Sequence, residues 1–561
     1  MPVPTKDRTM NDEFDIVIVG GGTAGCVLAR RLSDQRDCRV LLLEAGPPPD
    51  DFWIKTPAGM GKMFMSERYN WRFRTEPVPT LRNRELYWPR GKTLGGSSAI
   101  NGMVHCRGNR GDFDHWSQLG NSGWGWDDVL PYFKRSEANS RGASEYHGGD
   151  GPLAVSDPVV IHPSVRDFVE AAQRAGVPRI DDFTGLEQEG AGILQSNIRN
   201  GERHSAYEAY VAPVRDRANL IVRTGVYARR VLFKGLDATG VEVLEDGEIH
   251  SYHARREVIL CTGALGSPHL LMLSGIGPGE ALRRCGIAIL MDLPGVGRNL
   301  QDHFSARFQS LSTPESSYNG NLNGLRKYWQ GLRYVVTKSG YLALSSSQAA
   351  AFVKSRPELE YADLEISFRP MTFTYRDAGT VQVDRYHAVG ASVYRVRPAS
   401  RGEVLLRSPD PLEPPSFVPN YLQASEDVEA TLTGLRKLRA ILATEPMASR
   451  IVAERVPGSE ARTDEQLIDY IEREGHCAFH PAGTCKMGND AMAVVDPRLR
   501  VHGVNRLRVV DASIMPTVTS GNTNAPTVMI AEKAADMIRA DAKPSHQDTG
   551  VVTIASRSLA G

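Results

Sequence analysis

Residues 15–25 read Asp15-Ile-Val-Ile-Val-Gly20-Gly-Gly-Thr-Ala-Gly25, and this stretch decides the fold. The run of β-branched residues predicts a short buried strand, and the glycines after it predict a tight turn into a helix. A second apolar run, "RVLLLEAG" at residues 39–46, predicts the next strand. Strand, glycine turn, helix and strand in this order predict a βαβ unit with parallel strands, and hence an α/β fold.

The glycine spacing Gly20-x-Gly22-x-x-Gly25 is the dinucleotide fingerprint. The first glycine permits the turn, the second lets the backbone approach a pyrophosphate, and the third lets helix and strand pack closely. Glu44 ends the second strand, where a carboxylate accepts hydrogen bonds from ribose hydroxyls and repels a 2′-phosphate, which disfavours NADP. The fingerprint alone leaves FAD and NAD open. The residues assigned to this end of the site are Gly20, Gly22, Thr23, Ala24, Gly25, Glu44 and Ala45.

The length of 561 residues predicts two domains rather than one. Lys+Arg and Asp+Glu both number 66, and this balance argues against nucleic-acid binding. The seven cysteines are scattered without a CxxC pair, which predicts neither a disulfide framework nor a zinc site, and no metal is expected. The first residues lack the apolar core of a signal peptide, so a cytoplasmic location is the default expectation.

An amphipathic stretch at residues 322–340, "LNGLRKYWQGLRYVVTKSG", leaves contact with a membrane or a partner subunit open. A surface helix of the substrate-binding region is its commoner interpretation. The expected assembly is a monomer or a homodimer.

Five further motifs, in order along the chain, identify a family. They are "GKTLGGSSAIN" with "GMVHCRGN" (residues 91–109), "GALGSPHLLMLSGIG" (263–277), "GVGRNLQDH" (295–303), "HPAGTCKMG" (480–488) and "VVDASIMPTVTSGNTNAPTVMIAEKAADMI" (509–538). Together they resemble the glucose-methanol-choline oxidoreductases over nearly the whole chain. The resemblance implies FAD rather than NAD, and an enzyme that oxidises an alcohol.

The resemblance also implies the domain organisation. A Rossmann-like FAD-binding domain is expected to be assembled from separated segments, with an inserted substrate-binding domain made of a sheet and helices. The expected bounds are 13–160, 215–310 and 475–540 for the FAD-binding domain and 161–214 and 311–474 for the substrate-binding domain, with tails at 1–12 and 542–561.

By the same resemblance, further residues are assigned to the flavin. Val231 matches the position whose backbone meets the adenine. Ile100 stands where some choline-oxidising relatives carry a histidine bonded to the flavin, so non-covalent FAD is expected. The residues expected along the flavin side, the ribityl chain and the ring are Gly95, Ser97, Asn101, Gly102, Met103, Val104, Asp511, Ala512, Asn522, Thr523 and Thr527.

Alcohol oxidation needs a base for the hydroxyl proton and an acceptor for the hydride, which flavin N5 supplies. His480 in "FHPAGT" matches the family's catalytic base, and a neutral imidazole suits that task. Asn524 is preferred as the second catalytic residue because it lies three residues before Thr527 at the mouth of the last predicted helix. Asn522 is its nearest rival for that role.

The expected substrate is a primary alcohol with an aryl, furanic or other apolar body, oxidised to the aldehyde. Trp53, Met60, Phe64, Phe368 and Phe479 are candidates for lining its pocket. The alternatives are a choline-type dehydrogenase, or a non-redox lyase or decarboxylase of the same family. The electron acceptor is expected to be oxygen or a quinone-like carrier.

Overall fold

The computed structural model describes residues 13–376 and 380–542. The tails expected at 1–12 and 542–561 therefore lie outside the described residues, except for Ala542.

The α-helices are α1 (Thr23–Leu32), α2 (Phe52–Lys55), α3 (Met60–Met63), α4 (Arg110–Gln118), α5 (Trp126–Ser136), α6 (Pro163–Arg174), α7 (Gly263–Leu273), α8 (Gly279–Arg284), α9 (Arg326–Thr337), α10 (Ser425–Leu442), α11 (Asp464–Glu474) and α12 (Asn524–Asp541).

The strands are β1 (Glu13–Val19), β2 (Val40–Glu44), β3 (Phe73–Arg74), β4 (Tyr87–Trp88), β5 (Glu137–Asn139), β6 (Leu153–Val155), β7 (Gly190–Ile193), β8 (Ile198–Arg199), β9 (Glu202–Arg203), β10 (Leu220–Thr224), β11 (Tyr227–Lys234), β12 (Asp237–Glu245), β13 (Glu248–Leu260), β14 (Ile276–Gly277), β15 (Met291–Asp292), β16 (Phe304–Ser312), β17 (Ala349–Val353), β18 (Leu364–Arg369), β19 (Phe373–Arg376), β20 (Thr380–Val383), β21 (Ala388–Arg395), β22 (Glu403–Leu405), β23 (Ser416–Val418), β24 (Ile451–Val456), β25 (His476–Cys477) and β26 (Leu507–Val509).

Sheet A has the strand order β10-β2-β1-β13-β12-β11, and β26 pairs with β13. Its strands β10, β2, β1, β13 and β26 run parallel, as the βαβ pattern predicts. Val19 pairs with Leu43 on one side and Leu260 on the other, so the carboxyl ends of three strands meet at one edge. The glycine turn and Glu44 lie at this edge, which is where α/β sheets bind ligands.

Sheet B has the order β24-β16-β21-β18-β17-β7, and β25 pairs with β16. Its neighbouring strands are antiparallel. Its strand β7 lies within the expected segment 161–214, and its strand β16 begins at Phe304, six residues before the boundary expected at residue 310.

Helices α1 and α12 pack together beside sheet A. Their contact includes a bidentate ion pair in which Nε and Nη2 of Arg31 donate to the fully buried Glu532 at 2.8 and 2.9 Å. The packing brings the N-termini of both helices to the same edge of sheet A. Within the described residues, no helix has both the length and the apolar character needed to span a bilayer.

Candidate active site

A cavity of about 420 Å³ lies where the carboxyl edge of sheet A faces sheet B. It brings together most of the residues that the sequence assigns to the site. Those that line it are Gly20, Gly22, Thr23, Ala24, Glu44, Ala45, Ser97, Asn101, Gly102, Met103, Val104, His480, Asp511, Ala512, Asn522, Thr523, Asn524 and Thr527.

Three assigned residues do not line the cavity. A Cβ at Gly25 would overlap the carbonyl oxygen of Gly20, so this glycine serves helix–strand packing. The N–H of Gly95 donates to the Gly21 carbonyl at 2.7 Å, which ties the second glycine-rich loop to the first. Val231 is buried, and its N–H donates to Oγ of Ser274 at 2.8 Å.

Val226, five residues earlier than Val231, lines the cavity instead. Its N–H donates to the carbonyl of Glu44 at 3.0 Å, so its backbone adjoins the end of β2. Tyr227 and Ala228 line the cavity as well, so the segment 226–228 adjoins the cavity at the end of β2, whereas Val231 does not line it.

Glu44 is buried and accepts hydrogen bonds from the N–H groups of Gly21 and Gly46, at 2.9 and 2.8 Å. Burial raises the pKa of its carboxyl to about 7, and these N–H donors act in the opposite direction. The same carboxyl is thus the natural acceptor for further hydroxyl donors at this edge.

Two features of the chain fit FAD. Helices α1 and α12 begin beside the cavity, and their N-caps Gly22 and Thr523 provide no side-chain hydrogen bond to the first turn. Their free N–H groups and positive dipole ends suit a pyrophosphate and an anionic ring edge. A Cβ at Gly22 would lie no closer than 3.8 Å to any protein atom, so the protein alone does not require glycine there. The close approach of a bound pyrophosphate would require it.

The backbone around His480 is held from both sides. Nη2 of Arg90 donates to the Phe479 carbonyl at 2.8 Å, and the His480 N–H donates to Oδ1 of Asp302 at 2.7 Å. Phe479 has a φ of 68°, an uncommon conformation for a residue with a side chain. These contacts fix the direction in which the His480 ring enters the cavity.

Hydrogen bonds determine which nitrogen of His480 carries the proton. Nε2 of His303 lies 2.9 Å from the Val396 carbonyl, which can only accept, so Nε2 of His303 must carry hydrogen. In a neutral ring its Nδ1 is then an acceptor, and Nδ1 of His480 lies 2.9 Å from it. His480 therefore carries its proton on Nδ1 and directs the Nε2 lone pair into the site.

The pKa values of both imidazoles favour their neutral forms. Burial lowers the pKa of His303 to about 4. Burial, together with His303 and the positive charge of Arg90, lowers the pKa of His480 well below its usual value. A neutral His480 is the form that a base requires.

Asn522, not Asn524, is the asparagine next to this base. The Asn522 amide nitrogen lies 2.9 Å from Nε2 of His480. Oδ1 of Asn524 instead accepts a hydrogen bond from Oγ1 of Thr23 at 2.9 Å, at the first residue of α12. Position relative to the last helix favoured Asn524 in the sequence. The chain bends at Gly521 and Thr523 just before α12, and it is the Asn522 side chain that reaches His480.

The segment from Ser98 to Met103 is held by Arg203, which the sequence analysis missed. Arg203 is buried, and it donates to the carbonyls of Ile54, Ser98 and Asn101 and to Oδ1 of Asn101 at 2.7–3.2 Å. Burial lowers the pKa of its guanidinium to about 9. No sequence pattern marks it, because its partners are mainly backbone oxygens of distant residues.

Arg203 also orients the Asn101 side chain. Oδ1 of Asn101 lies 2.9 Å from Nη1 of Arg203 and 3.0 Å from the Met103 N–H, and both of these groups can only donate. These two donors identify Oδ1 as the side-chain oxygen. The NH₂ group of Asn101 is then available to donate into the cavity that Asn101 lines.

Sheet B presents a polar face to the cavity. Tyr394 pairs with Ser305 on one neighbouring strand and Glu365 on the other, and residues two positions along continue the same face. The cavity-lining residues of this face are Ser305, Arg307, Glu365, Ser367, Arg369, Ser392 and Tyr394. The alternation in "LEISFR", residues 364–369, is the signal that could have revealed it.

The cavity also contains a carboxylate, Glu365, which the sequence analysis missed. It is 3% exposed, and its Oε2 makes no hydrogen bond. Burial raises the pKa of its carboxyl to about 7, with Tyr394 opposing the shift.

The opposite wall is apolar. Met60, Phe64 and Phe479 line the cavity, and the rings of Phe64 and Phe479 meet edge to face at 5.4 Å. Ile100 lines it too, and its aliphatic side chain offers no nucleophile for a covalent flavin bond. Of the remaining candidates, Trp53 packs beside this wall, whereas Phe368 is fully buried against Phe168, so its assignment to the lining is wrong.

Two family models described as GMC oxidoreductase match residues 14–305 and 398–531. The chain belongs to the GMC oxidoreductase family. It is therefore an FAD-dependent oxidoreductase that acts on CH–OH groups, as its five motifs predict.

GMC relatives match this chain along almost its whole length. Mitochondrial choline dehydrogenase of Mus musculus is 41% identical, covering 100% of this chain and 95% of the relative. Oxygen-dependent choline dehydrogenase of Photobacterium profundum is 40% identical, covering 97% and 96%. Among solved structures, pyridoxine 4-oxidase from "Mesorbium loti" has a TM-score of 0.84 at 33% identity, covering 94% of this chain and 99% of that one.

Proposed function

We propose that this GMC oxidoreductase oxidises a primary alcohol to its aldehyde, with Nε2 of His480 receiving the hydroxyl proton. The observation that carries the proposal is the chain of contacts from the Val396 carbonyl through His303 to His480. It leaves the one unprotonated ring nitrogen of His480 facing the cavity, where its lone pair accepts a hydrogen bond from the Asn522 amide until a substrate hydroxyl takes that place. A base must present such a lone pair to its substrate.

Three groups of the chain stabilise the charge that develops. Bound FAD would supply the acceptor for the hydride that leaves the substrate carbon. The Asn522 amide donates a hydrogen bond to the substrate oxygen as its proton leaves, without a charge of its own. His480 becomes an imidazolium beside that oxygen, and the N-terminus of α12 supplies a positive dipole end.

The two sheets take separate parts in this proposal. Sheet A with α1 and α12 forms the FAD-binding domain, because the fingerprint, Glu44 and both open helix N-termini belong to it. Sheet B forms the substrate-binding domain, because its polar face closes the cavity opposite them.

The first substrate class is an apolar primary alcohol with an aryl or furanic body. Phe64 and Phe479 give it an aromatic wall beside His480, because Phe479 is the preceding residue. Arg307 and Arg369, on the opposite face, oppose a permanently cationic substrate.

The second class is an amino alcohol of the choline type, which two observations favour. The chain resembles choline dehydrogenases at 40–41% identity over nearly its whole length. Glu365 also provides a buried carboxyl oxygen without a partner, and a cationic headgroup would favour its ionised form. Oxygen or a quinone-like carrier completes the cycle in either case.

The proton-transfer step is tested by anaerobic reduction of the bound flavin in wild type and His480→Ala. We expect the variant to retain FAD and to be reduced at least ~100-fold more slowly. His253→Ala, an exposed histidine on β13, is the matched control and should be reduced at the wild-type rate. A normal rate in His480→Ala would remove His480 from the mechanism.

The substrate classes are separated by comparing aryl, furanic and aliphatic alcohols with choline, using oxygen and an artificial dye in parallel. For a choline-type enzyme, Glu365→Gln should lower kcat/KM for choline by about tenfold and leave aryl alcohols nearly unchanged. Ser392→Ala, on the same face, is the matched control. Activity on aryl alcohols alone would exclude the choline type.

A further inference from the structure

Helix α9 exposes a large apolar surface. Its six exposed apolar side chains are between 55% and 87% solvent-accessible: Leu325, Tyr328, Trp329, Leu332, Val335 and Val336. At about 100° per residue, they fall within one arc of roughly 120° around the helix axis. They therefore form one continuous surface, which we call the α9 face.

The opposite side of α9 is the one that packs on the protein. Gln330 and Tyr334 are buried there, and the Tyr334 hydroxyl donates to the Gly201 carbonyl at 3.2 Å. The Tyr334 ring also contacts Phe52 edge to face, with ring centroids 6.2 Å apart, on this packed side. An ordinary surface helix buries its apolar side, and here that side faces outward.

The charge around the α9 face is positive. Arg326, Lys327 and Arg333 lie on the helix, and Lys338, which pairs with Glu202 at 2.8 Å, ends it. No acidic residue occurs in the sequence between Glu315 and Glu358. The chain as a whole is balanced, with 66 basic and 66 acidic residues, so this concentration is local.

We propose that the α9 face docks the enzyme onto the surface of an anionic lipid bilayer, with the helix lying in the interface rather than crossing it. An exposed apolar arc that carries Trp and Tyr and is flanked by basic side chains is the composition of an interfacial helix. A second copy of the chain fits less well. A symmetric contact through this face would bring the same cations of both copies together.

Flotation of the FAD-loaded full-length enzyme with phosphatidylcholine vesicles, with or without phosphatidylglycerol, tests this docking. We expect the wild type to float with the anionic vesicles and its bound fraction to fall several-fold with neutral vesicles or high salt. The triple variant Trp329→Gln/Leu332→Gln/Val336→Gln should lower the partition coefficient by about tenfold or more. Arg326→Gln/Lys327→Gln/Arg333→Gln should lose the preference for anionic lipid.

The matched control is Ile249→Gln/Leu412→Gln/Val452→Gln, which removes three comparably exposed apolar side chains elsewhere and should bind as the wild type does. Bound FAD and turnover in solution should be unchanged in all variants. Equal flotation of wild type and α9 variant would overturn the proposal. So would a wild type that ignores vesicles but dimerises through a contact that the α9 variant lacks.

Discussion

The Nδ1 atoms of His480 and His303 lie 2.9 Å apart, and the Val396 carbonyl on the far side of His303 decides which of the two donates. The His303 ring stacks on Tyr394 with centroids 5.3 Å apart, which also restricts its rotation. The neighbours of His303 therefore determine which nitrogen of His480 carries the proton.

Replacing His303 with Ala should therefore slow proton abstraction without removing the base. The Nδ1–H of His480 loses its acceptor, so the ring is free to carry its proton on Nε2 instead. We expect flavin reduction to slow by roughly 10- to 100-fold, with FAD content unchanged. Tyr394→Phe keeps the stacked ring and should have a smaller effect. An unaltered rate in His303→Ala would show that the tautomer is fixed in another way.

The pH dependence of flavin reduction should lack a limb at the usual histidine pKa. Since the pKa of His480 is lowered well below about 6.5, the fraction of unprotonated base stays close to one as the pH falls through that value. Stopped-flow reduction at saturating alcohol should thus be flat from pH 8 to below 6.5 and decline only at lower pH. A midpoint near 6.5 that Glu365→Gln does not remove would mean that burial does not lower the pKa of His480.

The two asparagines should respond unequally to substitution. Asn522→Ala removes the amide beside Nε2 of His480, and we expect kcat to fall by about 100-fold. Asn524→Ala loses a hydrogen bond with Thr23, which corresponds to about 1 kcal/mol of stability, and turnover should change little. Kinetics and thermal unfolding of both variants distinguish the two effects. The opposite order of kcat values would restore Asn524 as the catalytic residue.

Loss of the Arg203 guanidinium should weaken FAD binding. Arg203→Met removes a donor from three carbonyl oxygens and leaves the Met103 N–H as the remaining partner of Oδ1 of Asn101, so the flavin-side segment is less firmly held. We expect the FAD dissociation constant to rise by roughly 10- to 100-fold, measured by fluorescence of released FAD. Arg203→Lys should recover part of the loss. Arg199→Met, an exposed arginine on the neighbouring strand β8, should bind FAD as tightly as the wild type.

Sequence reasoning was strongest where a local motif also determines the geometry. The segment from Asp15 to Gly25 predicted its strand, turn and helix because every requirement lies within a few neighbouring residues. It was weaker for Val231, since register along a strand shifts the backbone group that meets a ligand without changing the apolar pattern. Val226, Tyr227 and Ala228 line the cavity in this region, and Val231 does not.

Residues brought in from distant strands could not be predicted from motifs. Glu365 joins the site only through the pairing of β18 with β21, and Arg203 acts through backbone oxygens. For Asn522 and Asn524, the sequence gives two equivalent side chains two positions apart. The path of the chain into α12 determines which of them reaches His480.

The oxygen that orients His303 belongs to the main chain of Val396, the residue directly after β21. Every amino acid supplies the same carbonyl. Substitutions at position 396 would therefore alter side-chain packing but would keep the acceptor for Nε2 of His303. Only an alteration that displaces the end of this strand could withdraw the oxygen. The protonation of His480 thus depends on a backbone atom, and the amino-acid type at position 396 does not reveal that dependence.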